Sequence, residues 1–232
     1  MIREVELGES KGTEFVNSTF EKNPIHKAPY NVVPGMYILS LFAKEFDSLF
    51  SNNSSLESIS AKFKKILYYG DKIKLLVEPP KLSKTSSLIF PFRVEDDKDE
   101  VIEGKAQRSR LLNSLERTTS EGFEEIKKAV NIFETADDFY SSISAEKRGE
   151  SSLKLMLASI VSGLLTEKYE KLLQGKDFFY LKIELSFGQK VAGIADVYGK
   201  ITKVITKTPR MEALAKDQEK NLLYLESVLV KK

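Results

Sequence analysis

"PGMYILSLFAKEFDSL", residues 34–49, places apolar side chains on nearly every side of a predicted helix. Met36, Leu39, Phe42, Phe46 and Leu49 recur at three- and four-residue steps, the helical period. Tyr37, Ile38 and Leu41 add apolar bulk off that stripe. A helix that is greasy on most faces has to be wrapped by other structure. "SNNSS" (51–55) then breaks the pattern with turn formers.

Strand-like segments follow. Ile59, Ala61 and Phe63 alternate with polar neighbours, a period of two, and Ile73, Leu75 and Val77 form the next run before Pro79-Pro80. "SLIFPFRVEDDKDEVIEGKAQ" (87–107) reads as two strands joined at the acidic turn Glu95–Glu100, with Pro91 suggesting an edge or a bulge. A polar, linker-like stretch (107–122) comes next. Thr118 and Glu121 are spaced as a capping box, and Phe123, Ile126, Val130 and Phe133 predict an amphipathic helix after it. "SLKLMLASIVSGLL" (152–165) is a second helix apolar nearly all round, and strands are predicted over 178–187, 195–205, 210–217 and 222–232.

The chain thus repeats one plan: a buried helix, then antiparallel strands. The predicted class is α+β, a double hot-dog, with two antiparallel sheets each wrapped around a central apolar helix and joined through their edge strands. The N-terminal unit spans 1–110 and the C-terminal unit 111–232. The competing architecture is a generic α+β domain with two core helices.

Composition narrows the function. The 232 residues carry 36 Lys+Arg against 34 Asp+Glu, net +2, without the gathered basic excess of a nucleic-acid binder. There is no cysteine, so disulfides, thiolate metal sites and a cysteine nucleophile are excluded, and one histidine argues against a histidine-rich zinc site. No metal or cofactor is implied. The N-terminus is charged without an apolar core, and the longest apolar run is too short for a membrane span, so a soluble cytoplasmic protein is expected.

The only histidine, His26, stands in "EKNPIHKAPYNVVPGMYILS" (21–40). "NPIH" followed by "PGMYILSLF" resembles the MaoC-like dehydratases and (R)-specific enoyl-CoA hydratases, whose signature is Asp-x-Asn-Pro-x-His and then a Gly-Met pair opening the hot-dog helix. "FKKILYYGDKIKL" (63–75), "LMLASIVSGLL" and "FFYLKIELSF" are similar to further blocks of that group. The resemblance implies a hydro-lyase that interconverts 3-hydroxyacyl and 2-enoyl thioesters of CoA or acyl carrier protein. It sets His26 on the family histidine and Glu21 on its aspartate as the catalytic pair. Gly35 falls on the oxyanion glycine, with Asn23 and Ser40 as further substrate-binding positions. Glu21 departs from the pattern by one methylene, and the gap from His26 to Gly35 is shorter than in most of the group.

Histidine can act as base or acid near neutral pH, and a nearby carboxylate can orient its ring. A helix start offers unpaired N–H groups suited to an enolate oxygen. In the second half, Asp138 falls on the signature aspartate, Ile143 on the histidine and Lys154 on the glycine, so that half is read as a non-catalytic partner shaping the acyl tunnel. Plainer readings exist. Ser40 can bond the carbonyl four residues back, Asp71 serves a turn, and "EDDKDE" (95–100) is a solvated hairpin tip. The alternative functions are a non-catalytic acyl-thioester binder, a subunit of a heteromeric dehydratase, or a hot-dog thioesterase. A homo-oligomer is compatible with each.

Overall fold

The computed structural model describes residues 1–49, 55–83, 87–109, 115, 121–145, 149–173, 178–188, 191, 193–202, 208–218 and 220–231. The capping box at Thr118 and most of "SNNSS" lie outside them.

Among the described residues eleven strands form one antiparallel sheet. The first half contributes β1 (Ile2–Glu6), β2 (Ser55–Phe63), β3 (Lys72–Val77), the short β4 (Lys81–Leu82), β5 (Leu88–Glu95) and β6 (Glu100–Ser109). The second contributes β7 (Glu124–Asn131), β8 (Phe178–Phe187), β9 (Ile194–Thr202), β10 (Arg210–Asp217) and β11 (Lys220–Lys231). The order is β1-β3-β5-β6-β2-β8-β11-β10-β9-β7, with β4 on β5. Read inward from either edge, each half runs through its first, third, fourth, fifth and second long strand.

The seam between the halves is the pairing of β2 with β8, Ser58 opposite Ser186 through Lys62 opposite Lys182. Ile59 faces Leu185 and Ala61 faces Ile183, all fully buried, while Ser60 and Glu184 alternate with them. The two sheets expected from the sequence are therefore one continuous sheet, because their edge strands satisfy each other's ladder.

The first apolar helix is broken in two. α1 (Glu9–Ser18) precedes it; α2 (Gly35–Leu41) and α3 (Ala43–Leu49) divide the predicted helix at Phe42, whose N–H turns to the Leu39 carbonyl, 3.2 Å away. The Phe42 ring is fully buried against Phe92 and Phe46. α4 (Ala136–Ser142) and the long α5 (Glu150–Leu173) complete the helices. α5 packs against α2, α3 and strands β2, β7, β8, β10 and β11, which explains its apolar residues on all sides. Its start is capped from another helix: the Asp47 carboxylate accepts the Ser151 N–H (2.8 Å) and the Ser152 hydroxyl (2.6 Å).

The amphipathic helix expected over 123–133 is strand β7. The ladder to β9 slips between Glu125 and Lys127 and again between Lys127 and Val130, and Ala129 has φ 49. Each bulge adds a residue to the inward spacing, so Ile126 and Val130 fall four apart instead of two. Pro91 is not on an edge, since β5 pairs on both sides. It sits between the stretches paired to β3 and β4, and its carbonyl still accepts the Glu78 N–H. β1, α1 and α4 were not anticipated. α1 and α4 pack together through Phe15 and Phe139, ring centroids 5.8 Å apart.

Candidate active site

His26 ends a 3-10 turn, Pro24–His26, whose geometry follows from Asn23 and Pro24. The Asn23 side-chain oxygen accepts the Ile25 N–H (3.2 Å), and proline at the first position needs no N–H partner. The loop then folds back: the Val32 N–H donates to the Ile25 carbonyl (2.9 Å), and His26 Nδ1 lies 2.7 Å from the Val32 carbonyl. A carbonyl only accepts, so Nδ1 carries the proton and Nε2 keeps its lone pair. Residues 31–33 are pinned in turn to 67–69, with Val33 N–H on the Leu67 carbonyl and Tyr69 N–H on the Asn31 carbonyl. Asp71 serves that turn by accepting the Tyr68 N–H.

β2 and β8 part company beyond Lys62 and Lys182, and a cavity of about 250 Å³ opens where they diverge. From the first half it is lined by Asn23, His26, Val33, Gly35, Ile38 and the segment 63–67; from the second by Phe179, Tyr180, Leu181 and Val230. Lys64 and Lys65 are exposed at its rim, while Ile38 and Val33 are buried. His26 and Asn23 thus share one cavity with Gly35 at the start of α2. Gly35 is tight for a different reason: a Cβ there would come within 2.9 Å of the Phe63 ring and 3.1 Å of the Tyr180 ring.

Glu21 and Ser40 do not line the cavity. Ser40 is fully buried, donates to the Met36 carbonyl (2.7 Å) and faces Ser159 across the two central helices. Glu21 is 9% exposed and sits one layer behind Asn23, accepting its backbone N–H (3.0 Å), with Thr166 nearby on α5 donating its hydroxyl to the Ser162 carbonyl (3.1 Å). The ring of His26 is oriented by the Val32 carbonyl rather than by this carboxylate. Gly163 on α5 allows the arrangement, since a Cβ there would lie 2.0 Å from the Thr19 carbonyl oxygen and 2.9 Å from the Glu21 nitrogen.

Burial drives the two titratable groups apart. It lowers the His26 pKa to about 4, the Val32 carbonyl opposing only in part. It raises the Glu21 pKa to about 7, against the polar groups of Asn23, Thr166 and Lys22. At neutral pH the imidazole is neutral, and the buried carboxyl holds its proton to far higher pH than an exposed glutamate does.

In the second half, the residues that the resemblance set on the signature are packed or exposed without a histidine among them. Lys154 is 1% exposed, with its ammonium on the Leu56 carbonyl (2.8 Å), the Ser55 hydroxyl and Glu150 (2.9 Å); burial lowers its pKa. Ile143 is buried and Asp138 exposed. The acidic tip is a self-capped turn, with Asp96 accepting the Lys98 and Asp99 N–H groups. Among the described residues no helix is long and apolar enough to cross a membrane.

Tyr180 was missed. The only hint in the sequence was its place in the second-half block "FFYLKIELSF". Its hydroxyl bonds Ser162 on α5, and its ring forms cavity wall beside Gly35.

This architecture is that of the hot-dog fold. The chain is similar to a protein of unknown function with a hot-dog fold from Alicyclobacillus acidocaldarius, at 10% identity and TM-score 0.58, over 91% of this chain and 90% of that one. It is also similar to a MaoC-like dehydratase from Phytophthora capsici (10% identity, TM-score 0.67, 100% and 96% coverage). A 12:0-ACP thioesterase from Umbellularia californica matches at 6% identity and TM-score 0.61, covering 100% and 94%. No family model and no curated protein matches the sequence.

Proposed function

We propose that the chain is two fused hot-dog units, 1–110 and 111–232, acting on acyl thioesters, and that it is a hydro-lyase interconverting 2-enoyl and 3-hydroxyacyl forms. The observation that carries this reading is the neutral imidazole, with Nδ1 spent on Val32, lining an apolar cavity together with Gly35 at the start of α2. MaoC-like dehydratases among the structural neighbours support it.

The chemistry needs one base and one oxyanion site. Water oxygen bonds to C3 of the enoyl group and its proton passes to Nε2 of His26. The C2=C3 electron pair moves to the thioester carbonyl, forming an enolate. First-turn N–H groups of α2, which no earlier carbonyl of that helix can reach, face the enolate oxygen. C2 then takes the proton from the imidazolium, and His26 returns to neutral. Glu21 holds the Asn23 turn from behind and is a positioning residue in this scheme.

Purified protein should consume crotonyl-CoA, seen as loss of enoyl-thioester absorbance. His26→Ala should lower kcat by about 10²–10⁴-fold. Full activity in that variant overturns the assignment. The recessed position of Glu21 favours a second reading, a thioester binder without turnover. Thermal stabilisation by acyl-CoA with no absorbance change would select it, and release of free thiol would select a thioesterase.

A further inference from the structure

We propose that Tyr180, supplied by the second half, sets the length of acyl chain the cavity accepts, limiting it to short chains. The inference rests on the thioester reading of the cavity. A dry cavity of about 150 Å³ holds benzene, roughly 25 Å³ per heavy atom, so this one holds about ten heavy atoms. The sulfur, the carbonyl oxygen and two carbons of the thiol arm use four of those, which leaves room for about six acyl carbons.

The wall at Tyr180 is held in place. A carbonyl seated at the start of α2 directs its chain past Gly35, and the Tyr180 ring already packs on Gly35 and beside Phe63, ring centroids 6.1 Å apart. The Tyr180 hydroxyl is tied to Ser162, which is 2% exposed, so the ring is held at both ends. Behind it lie Thr166 and Glu21, both buried and polar, which an alkyl tail would pay to approach.

The test is calorimetric binding of S-butyl-CoA and S-decyl-CoA, thioethers that need no turnover. The unsubstituted chain should bind the butyl compound at least about tenfold more tightly, since one unaccommodated methylene already costs about that much. Tyr180→Phe, which keeps the ring, should preserve the ranking. Tyr180→Ala, checked for folding by circular dichroism, should shift the ratio at least about tenfold toward the decyl compound. Decyl binding as tight as butyl in the unsubstituted chain overturns the proposal alone, as does an unchanged ratio in folded Tyr180→Ala. Absence of binding by either compound overturns the thioester reading with it. Should Tyr180→Ala not fold, the ranking in the unsubstituted chain decides by itself.

Discussion

Burial moves the proton affinities of His26 and Glu21 in opposite directions, and stability should carry both signatures. Glu21 holds its proton more tightly in the fold, with a pKa near 7 against 4.5. Its contribution is full below about pH 4.5 and is lost as the pH rises to 7, about 3 kcal/mol in all. His26 holds its proton less tightly, about 4 against 6.5, so its contribution is full above pH 6.5 and is lost as the pH falls to 4. Between these limits the two slopes oppose each other. Urea unfolding of Glu21→Gln should show a variant that loses stability relative to the parent as the pH falls from 7 to 4.5. His26→Asn should gain relative to the parent between 6.5 and 4. Parallel curves for parent and variants would contradict both shifts. At this scale the sequence named His26, Asn23 and Gly35 from a local motif. It gave no sight of Val32 as the orienting group, because that bond exists only once residues 25–32 close on themselves. Nor did it reveal that Glu21 is recessed, which depends on α5 passing at Gly163.

The elements explain where local reading succeeded and where it failed. α5 was legible because its apolar residues cover every face, and β2, β3, β5 and β6 because each keeps a run of alternation outside the irregularities at Glu57 and Val101. β7 was not, since two bulges convert a strand's period of two into the three- and four-residue spacing of a helix. β1 was missed because only five residues carry its alternation, and all of them remain partly or fully exposed at the sheet edge. Gly163 tests how closely α5 and the Glu21 segment are fitted. Gly163→Ala puts a methyl against backbone that has no flexible end to yield, and should cost about 1–3 kcal/mol or more in denaturant titration. A neutral result would mean that residues 19–21 shift freely. Phe42, at the break between α2 and α3, is packed by two rings; Phe42→Ala should cost about 3–5 kcal/mol by the same measurement.

At the scale of the molecule, the pairing of β2 with β8 makes one sheet of two repeats and places the cavity where that pairing ends. The repeated plan was visible in the sequence as two apolar helices each followed by strands. That edge strands would join the halves was expected as well; which two strands meet was not legible, since nothing local states it. A shared seam with fully buried Ile59, Ala61, Ile183 and Leu185 should couple the halves. Hydrogen exchange under rising urea should therefore release β3 and β10, one in each half, in a single transition. Two separated transitions would show that the seam does not bind the halves into one cooperative unit.

The central claim concerns one imidazole in an acyl-thioester cavity, and the chain has only one histidine, so a nitrogen-labelled histidine spectrum reads it without ambiguity. The expected spectrum shows the Nδ1-protonated neutral tautomer down to about pH 5, with the Nε2 signal shifting when S-butyl-CoA is added. A ring protonated at Nε2, or one that titrates near 6.5 and ignores the ligand, would contradict the account.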